Sequence, residues 1–243
     1  MTGADAYGRP RLLQLDAIRL NGDTGKWVIT QLTKPKGEDG RYPTITVEGA
    51  LNVVFLKVRR KLVEGSRDGI VRSTNEHNTV NDVVTLYTGR DKELGIASDL
   101  RVKYENLRTE QIVYVRHKGE IYRLSVKGAS LSGTEATTNF YQYLTSFKDA
   151  AVQWYETTTR LVPTAGGDGK RSYYFIDFQV GDPLSEEQKE QVYENIAYVH
   201  KNCTQVDALS QNVQTSKADA VPRVEGGMPD YPEEEVNPDD IPF

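Results

Sequence analysis

The stretch EQIVYVRHKGEIYRLSVK, residues 110–127, constrains the fold most tightly. Two runs, 110–117 and 120–127, flank Lys118-Gly119 and alternate in a way that reads as a β-hairpin closed by a two-residue turn. Alternation in a strand sorts side chains onto two faces. Val113, Val115, Tyr122, Leu124 and Val126 share an apolar face that should pack on the core. Ile112, Tyr114, Arg116, Ile121, Arg123, Ser125 and Lys127 share the other. A two-residue loop sets Arg116 opposite Ile121 and Tyr114 opposite Arg123.

Other segments carry strand patterns: part of 12–20, then 26–32, 44–48, 51–63, 82–88, 152–162 and 171–180. The spacing of Phe140, Leu144 and Phe147 predicts a helix over 134–148, with Ser132 and Glu135 as its capping box. A second helix is predicted to start at Ser185, capped by Gln188, to bury Val192, Ile196 and Val199, and to stop near Asn202. Residues 204–243 have few large apolar side chains and no sustained period, so they are expected to be disordered. The expected organisation is a β-rich domain at 1–202, a linker at 203–232 and an acidic peptide at 233–243. The pattern predicts a mainly antiparallel β or α+β domain, a small barrel with additions.

Several chemistries find no support in the pattern. The sequence contains no GxxxxGK[ST] loop, no GxSxG elbow, no HExxH and no EF-hand loop. Residues 165–170, AGGDGK, read as a hairpin tip. One cysteine and three scattered histidines make a Cys/His zinc site improbable. Asp177 is read as a polar position on an exposed strand face, and His117 as a solvated hairpin residue. No cofactor is expected, and the chain is expected to be non-catalytic. No stretch approaches the roughly 20 apolar residues of a membrane span. No secretory h-region is visible at the N-terminus, so a cytoplasmic setting is expected.

The outward faces of two strand regions combine cations with an aromatic. Strict alternation in LNVVFLKVRRKLV places Phe55, Lys57, Arg59 and Lys61 together, away from Val54, Leu56, Val58 and Leu62. The hairpin adds Tyr114, Arg116, Arg123 and Lys127, and Tyr104 is a further stacking candidate. Single-stranded nucleic acid offers phosphates to Lys and Arg and π-faces to aromatic rings. A polar, Lys/Arg-bearing sheet face also occurs simply to discourage edge pairing.

The net charge of −5 conceals an asymmetry. Residues 225–243 hold seven acidic side chains and no Lys or Arg, which leaves +2 on the other 224 residues. The chain closes on NPDDIPF. Asp239, Asp240, Ile241, Pro242 and Phe243 resemble the C-terminal tip of bacterial single-stranded DNA-binding proteins, with Glu233–Glu235 as an acidic preface. The resemblance covers the tip alone. The body is longer than that family's usual domain, and the linker lacks its Gly/Gln richness, which fits a divergent, phage-encoded member.

The resemblance implies that the barrel is an antiparallel OB-like one with added helices, in a non-catalytic protein that coats and protects single-stranded DNA. It implies that the tip recruits replication, recombination and repair proteins by seating Phe243 in an apolar pocket with a basic rim. The charge asymmetry itself, +2 against seven acids, gives the expectation that the tail competes with DNA for the body's basic surface. The alternative is an accessory protein that uses the tip to dock the same partners without coating DNA. A homo-oligomer is compatible with either.

Overall fold

The computed structural model describes residues 15–66, 69–167 and 172–215. The chain is mainly β. Its strands are β1 (Asp16–Leu20), β2 (Trp27–Thr30), β3 (Thr44–Val47), β4 (Leu51–Ser66), β5 (Gly69–Thr74), β6 (Val83–Thr88), β7 (Asp91–Ile96), β8 (Arg108–His117), β9 (Glu120–Val126), β10 (Thr157–Gly167) and β11 (Ser172–Pro183). Helices α1 (Ala97–Lys103), α2 (Ala129–Ser132), α3 (Phe140–Ala150) and α4 (Glu186–Thr215) are interspersed, with a short 3-10 turn at Trp154–Glu156.

One sheet runs β3-β2-β1-β9-β8-β4-β5-β6-β7, and β10 joins it on β4 with β11 beyond. The sheet is mixed, because β1 runs parallel to β9. Its ladder does not close into a barrel. β1, β2, β4, β8, β9, β10 and β11 nevertheless contribute to one core around Trp27, Phe55, Val113, Leu124, Leu161 and Phe178. The sheet therefore curls around that core, and α3 fills it with Phe140, Tyr143 and Phe147. Across the gap between β1 and β11, the Tyr174 amide donates to Gly22 O at 2.7 Å. Gly25, at φ +68°, has no side chain because the Tyr174 ring occupies that space.

The β8–β9 hairpin has the expected register: Arg116 faces Ile121 and Tyr114 faces Arg123. Lys118 and Gly119 both have positive φ, as this turn requires. The register of β4 differs from strict alternation. Phe55 pairs with Val115, but Lys57 pairs with Tyr114, so Leu56 is the extra residue of a β-bulge. The bulge reverses the faces. Phe55 points into the main core with Val53, and Val58 packs there too.

Other elements also depart from the sequence pattern. Helix α3 starts later than expected, and its capping box is Asn139 with Gln142 rather than Ser132 with Glu135. Trp154 and Tyr155 lie in the 3-10 turn, not in a strand. Among the described residues, β11 pairs only with β10. Helix α4 is capped at Ser185 and Gln188 as expected, but extends to Thr215 instead of stopping near Asn202. Asp177 is buried and accepts the Thr138 amide at 2.8 Å. His117 is buried as well, with Nδ1 2.8 Å from Asn52 O, so neither residue is the solvated side chain expected.

Candidate nucleic-acid interface

The face of the sheet opposite the main core gathers most of the candidate cations. Lys57, Arg59 and Lys61 on β4 share it with Tyr114 and Arg116 on β8 and Arg123 on β9. The sequence joins these two groups correctly, although the bulge rather than strict alternation brings them together. The register adds Arg19, one residue beyond the Ile18–Leu124 pair of β1 and β9 and on the same side as the Ala17–Arg123 pair. Sequence reasoning misses Arg19 because β1 is too short to reveal its faces by alternation.

Two elements cover half of this surface. Helix α4 lays Val192, Ile196 and Val199 on Val54, Leu56, Ile112 and Tyr114. Its polar side chains reach two of the cations: Arg116 Nη2 donates to Gln191 Oε1 at 2.5 Å, and Lys57 Nζ lies 3.2 Å from His200 Nδ1. The loop after β5 covers the other part of that half. It is tied down by a two-way backbone bridge between Arg60 and His77, at 2.8 and 2.9 Å.

That loop inserts Glu76 into the sheet face. Its carboxylate accepts from Tyr114 Oη at 2.7 Å and from Arg123 Nη2, and Arg59 Nε lies 4.0 Å away. Arg59 also donates through Nη2 to the Glu76 carbonyl at 2.8 Å. A buried charge is tolerated when paired and hydrogen-bonded in this way. STNEHNT, residues 73–79, reads as a solvated loop, so no local pattern marks Glu76 as a core residue.

Three expectations are thereby corrected. Phe55, Arg59 and Tyr114 are 0%, 1% and 3% exposed, so they cannot meet a base or a phosphate in this conformation. The bulge buries Phe55, and Glu76 buries the other two. Tyr104 lies apart, packed beside Leu100 and Leu107. Its hydroxyl donates to Glu93 at 2.5 Å and the Arg72 guanidinium stands 4.8 Å from its ring, so protein groups already hold it. Arg123 retains 24% of its side-chain exposure, Lys61 is half-buried, and Lys127 and Arg19 are exposed. Arg123 and Lys127 bracket Ser125 in sequence, the Ser125 hydroxyl donates to Glu110, and Glu110 pairs with Lys61. Asp239, Asp240, Ile241, Pro242 and Phe243 lie outside the described residues.

No protein-family model, curated protein or solved structure matches this chain. Among the described residues, no group of three or more His, Cys, Asp or Glu side chains could hold a metal ion. Among them too, no helix is long and apolar enough to cross a membrane.

The covering loop is expected to respond to pH. Burial pushes the His77 imidazole below its ordinary value of 6.5, and the Arg60 and Arg59 charges add to that, while Asn75 O and Asp82 act in the opposite sense. The folded state therefore resists a proton that the unfolded state accepts. The associated stability is fully present above pH 6.5 and falls as the pH drops from there towards the depressed folded value. Urea unfolding at a series of pH values should show this decline, and His77→Gln should flatten it. An equal decline in the variant would place its origin elsewhere.

Proposed function

We propose that this chain is a non-catalytic single-stranded DNA-binding protein whose DDIPF peptide recruits replication, recombination or repair proteins. The observation that carries this reading is the C-terminal sequence Asp239-Asp240-Ile241-Pro242-Phe243, preceded by an acidic run and attached to a mainly β domain. The body is read as an OB-like barrel, divergent and phage-type, built from β1, β9, β8, β4, β10 and β11. Support for that comes from their shared core and from the Tyr174–Gly22 hydrogen bond between the outermost two. The setting that fits this role is the cytoplasm of a bacterial or phage-infected cell.

The DNA surface in this reading is the part of the sheet face that the described residues leave accessible, with Arg19, Lys61, Arg123 and Lys127 contacting phosphates. Cation contacts of this kind release counterions and tolerate any sequence. The covered half favours a second reading. Tyr114 and Phe55 are withdrawn from solvent, so the face lacks the stacking platform that a coating protein uses. An accessory protein that docks partners through the same peptide, without coating DNA, fits that arrangement.

Titration of a fluorescent oligo-dT separates the two. Tight, salt-sensitive and sequence-tolerant binding supports the first reading, and no binding at modest salt rejects it. The double substitution Arg19→Ala with Lys127→Ala should then reduce the slope of log K against log salt by about 1.4, roughly 0.7 for each single-strand phosphate that is no longer neutralised. An unchanged slope would remove this face as the DNA surface.

A further inference from the structure

Among the described residues, β3 lies at one end of the sheet and pairs only with β2. The Gln31 amide donates to Pro43 O at 2.9 Å, while Ile29 faces Ile45 and Trp27 faces Val47. In an antiparallel strand the N–H and C=O of one residue point to the same side, and successive residues alternate. Pro43, Ile45 and Val47 therefore turn their backbone groups towards β2. Thr44 and Thr46 turn theirs outwards, and both residues are exposed.

An open edge of this kind is normally guarded by charge. The opposite end of the sheet follows that rule, since β7 begins Asp91-Lys92-Glu93. β3 does not: Thr-Ile-Thr-Val is uncharged and β-branched throughout. Ile45 on this edge is 46% exposed.

We propose that β3 pairs with β3 of a second copy of this chain, antiparallel, about a two-fold axis at Ile45. Outward-pointing residues must face each other, so Thr44 pairs with the partner's Thr46 and Thr46 with the partner's Thr44. Each pair exchanges two backbone hydrogen bonds. Ile45 then meets the partner's Ile45 on the core side of the sheet. On the other side, Tyr42 meets the partner's Glu48.

Charge supports this register. Lys36 Nζ stands 5.0 Å from the Tyr42 ring centre, so a cation arrives beside the partner's Glu48, and symmetry repeats the contact. Glu48 is 73% exposed in its side chain and, among the described residues, pairs with the exposed Lys26 at 2.5 Å, which leaves room for a second cation. A shift of two residues either way removes the Tyr42–Glu48 pairing. Each edge is used once, so the contact closes as a dimer instead of propagating as a filament.

Light scattering on the full chain, without DNA, tests this across a dilution series. The expected mass is that of two chains at high concentration and one at low concentration. Ile45→Lys sets two ammonium groups opposite each other and should give a single-chain mass with an unchanged circular dichroism spectrum. Thr46→Pro removes an outward donor while leaving the β2 ladder intact, and should do the same. Amide exchange of the unmodified chain provides a readout that does not depend on how the variants fold. Thr44 and Thr46 should become protected as concentration rises, whereas Ile45, facing β2, should be protected throughout. A single-chain mass at every concentration overturns the proposal. So does a dimer that survives Ile45→Lys, or exchange at Thr44 and Thr46 that ignores concentration. None of these results depends on whether DNA binds.

Discussion

Replacing Glu76 with alanine is expected to destabilise the protein by about 3–5 kcal/mol, the usual cost of breaking a buried ion pair from one side. The carboxylate holds three groups at once: the Tyr114 hydroxyl, Arg123 Nη2 and, more distantly, Arg59 Nε. Its removal takes away the carboxylate 4.0 Å from Arg59 Nε, a side chain 1% exposed in a region of low dielectric. Tyr114 loses its acceptor in the same step. The guanidinium of Arg123 loses less, because it is partly exposed and water reaches it. Urea unfolding of the two proteins measures the difference, and a loss below about 1 kcal/mol would reduce the network to a surface pair. A cycle with Tyr114→Phe separates the contributions. If the hydroxyl acts mainly through Glu76, the two substitutions together should cost clearly less than their sum.

The same residue shows where the sequence is legible and where it is not. The β8–β9 hairpin is readable because a two-residue turn and a period of two leave one register. The stripe of α4 is readable because Val192, Ile196 and Val199 recur at helical spacing after a capping box. The bulge at Leu56 leaves no trace, because LNVVFLKV is apolar at both parities and one extra residue shifts no visible boundary. β7 is hidden for the opposite reason: as an exposed edge it carries charges that look like a loop. The candidate site suffers more than the fold. Side-chain faces follow from local pattern, but covering a face is a long-range event. Glu76 lies 38 residues from Tyr114 and 47 from Arg123, and nothing local to any of the three announces the contact.

Deleting the Phe243 side chain, as Phe243→Ala, is expected to abolish partner docking while leaving oligo-dT affinity unchanged. The physical case is that of a short peptide anchor. A buried aromatic ring contributes about 1.5–3 kcal/mol from area alone, and truncating such an anchor commonly costs about 2–4 kcal/mol. That corresponds to roughly 30- to 1,000-fold in Kd, enough to empty the complex at working concentrations. In the proposed reading, Pro242 limits the entropy lost on docking, and Asp239 and Asp240 steer the peptide to a basic rim. Asp239→Asn with Asp240→Asn should therefore slow association and weaken its salt dependence, with a smaller loss of affinity than Phe243→Ala. The body's cations lie on the sheet face, at Arg19, Lys61, Arg123 and Lys127, in a different part of the chain from the peptide. Capture of bacterial replication or repair proteins by the full chain, compared with oligo-dT titration of the same preparations, reads the two proposed activities separately. If Phe243→Ala loses both, the peptide supports the DNA surface itself. If it loses neither, partner recruitment does not run through DDIPF, and the reading of this chain that rests on it falls.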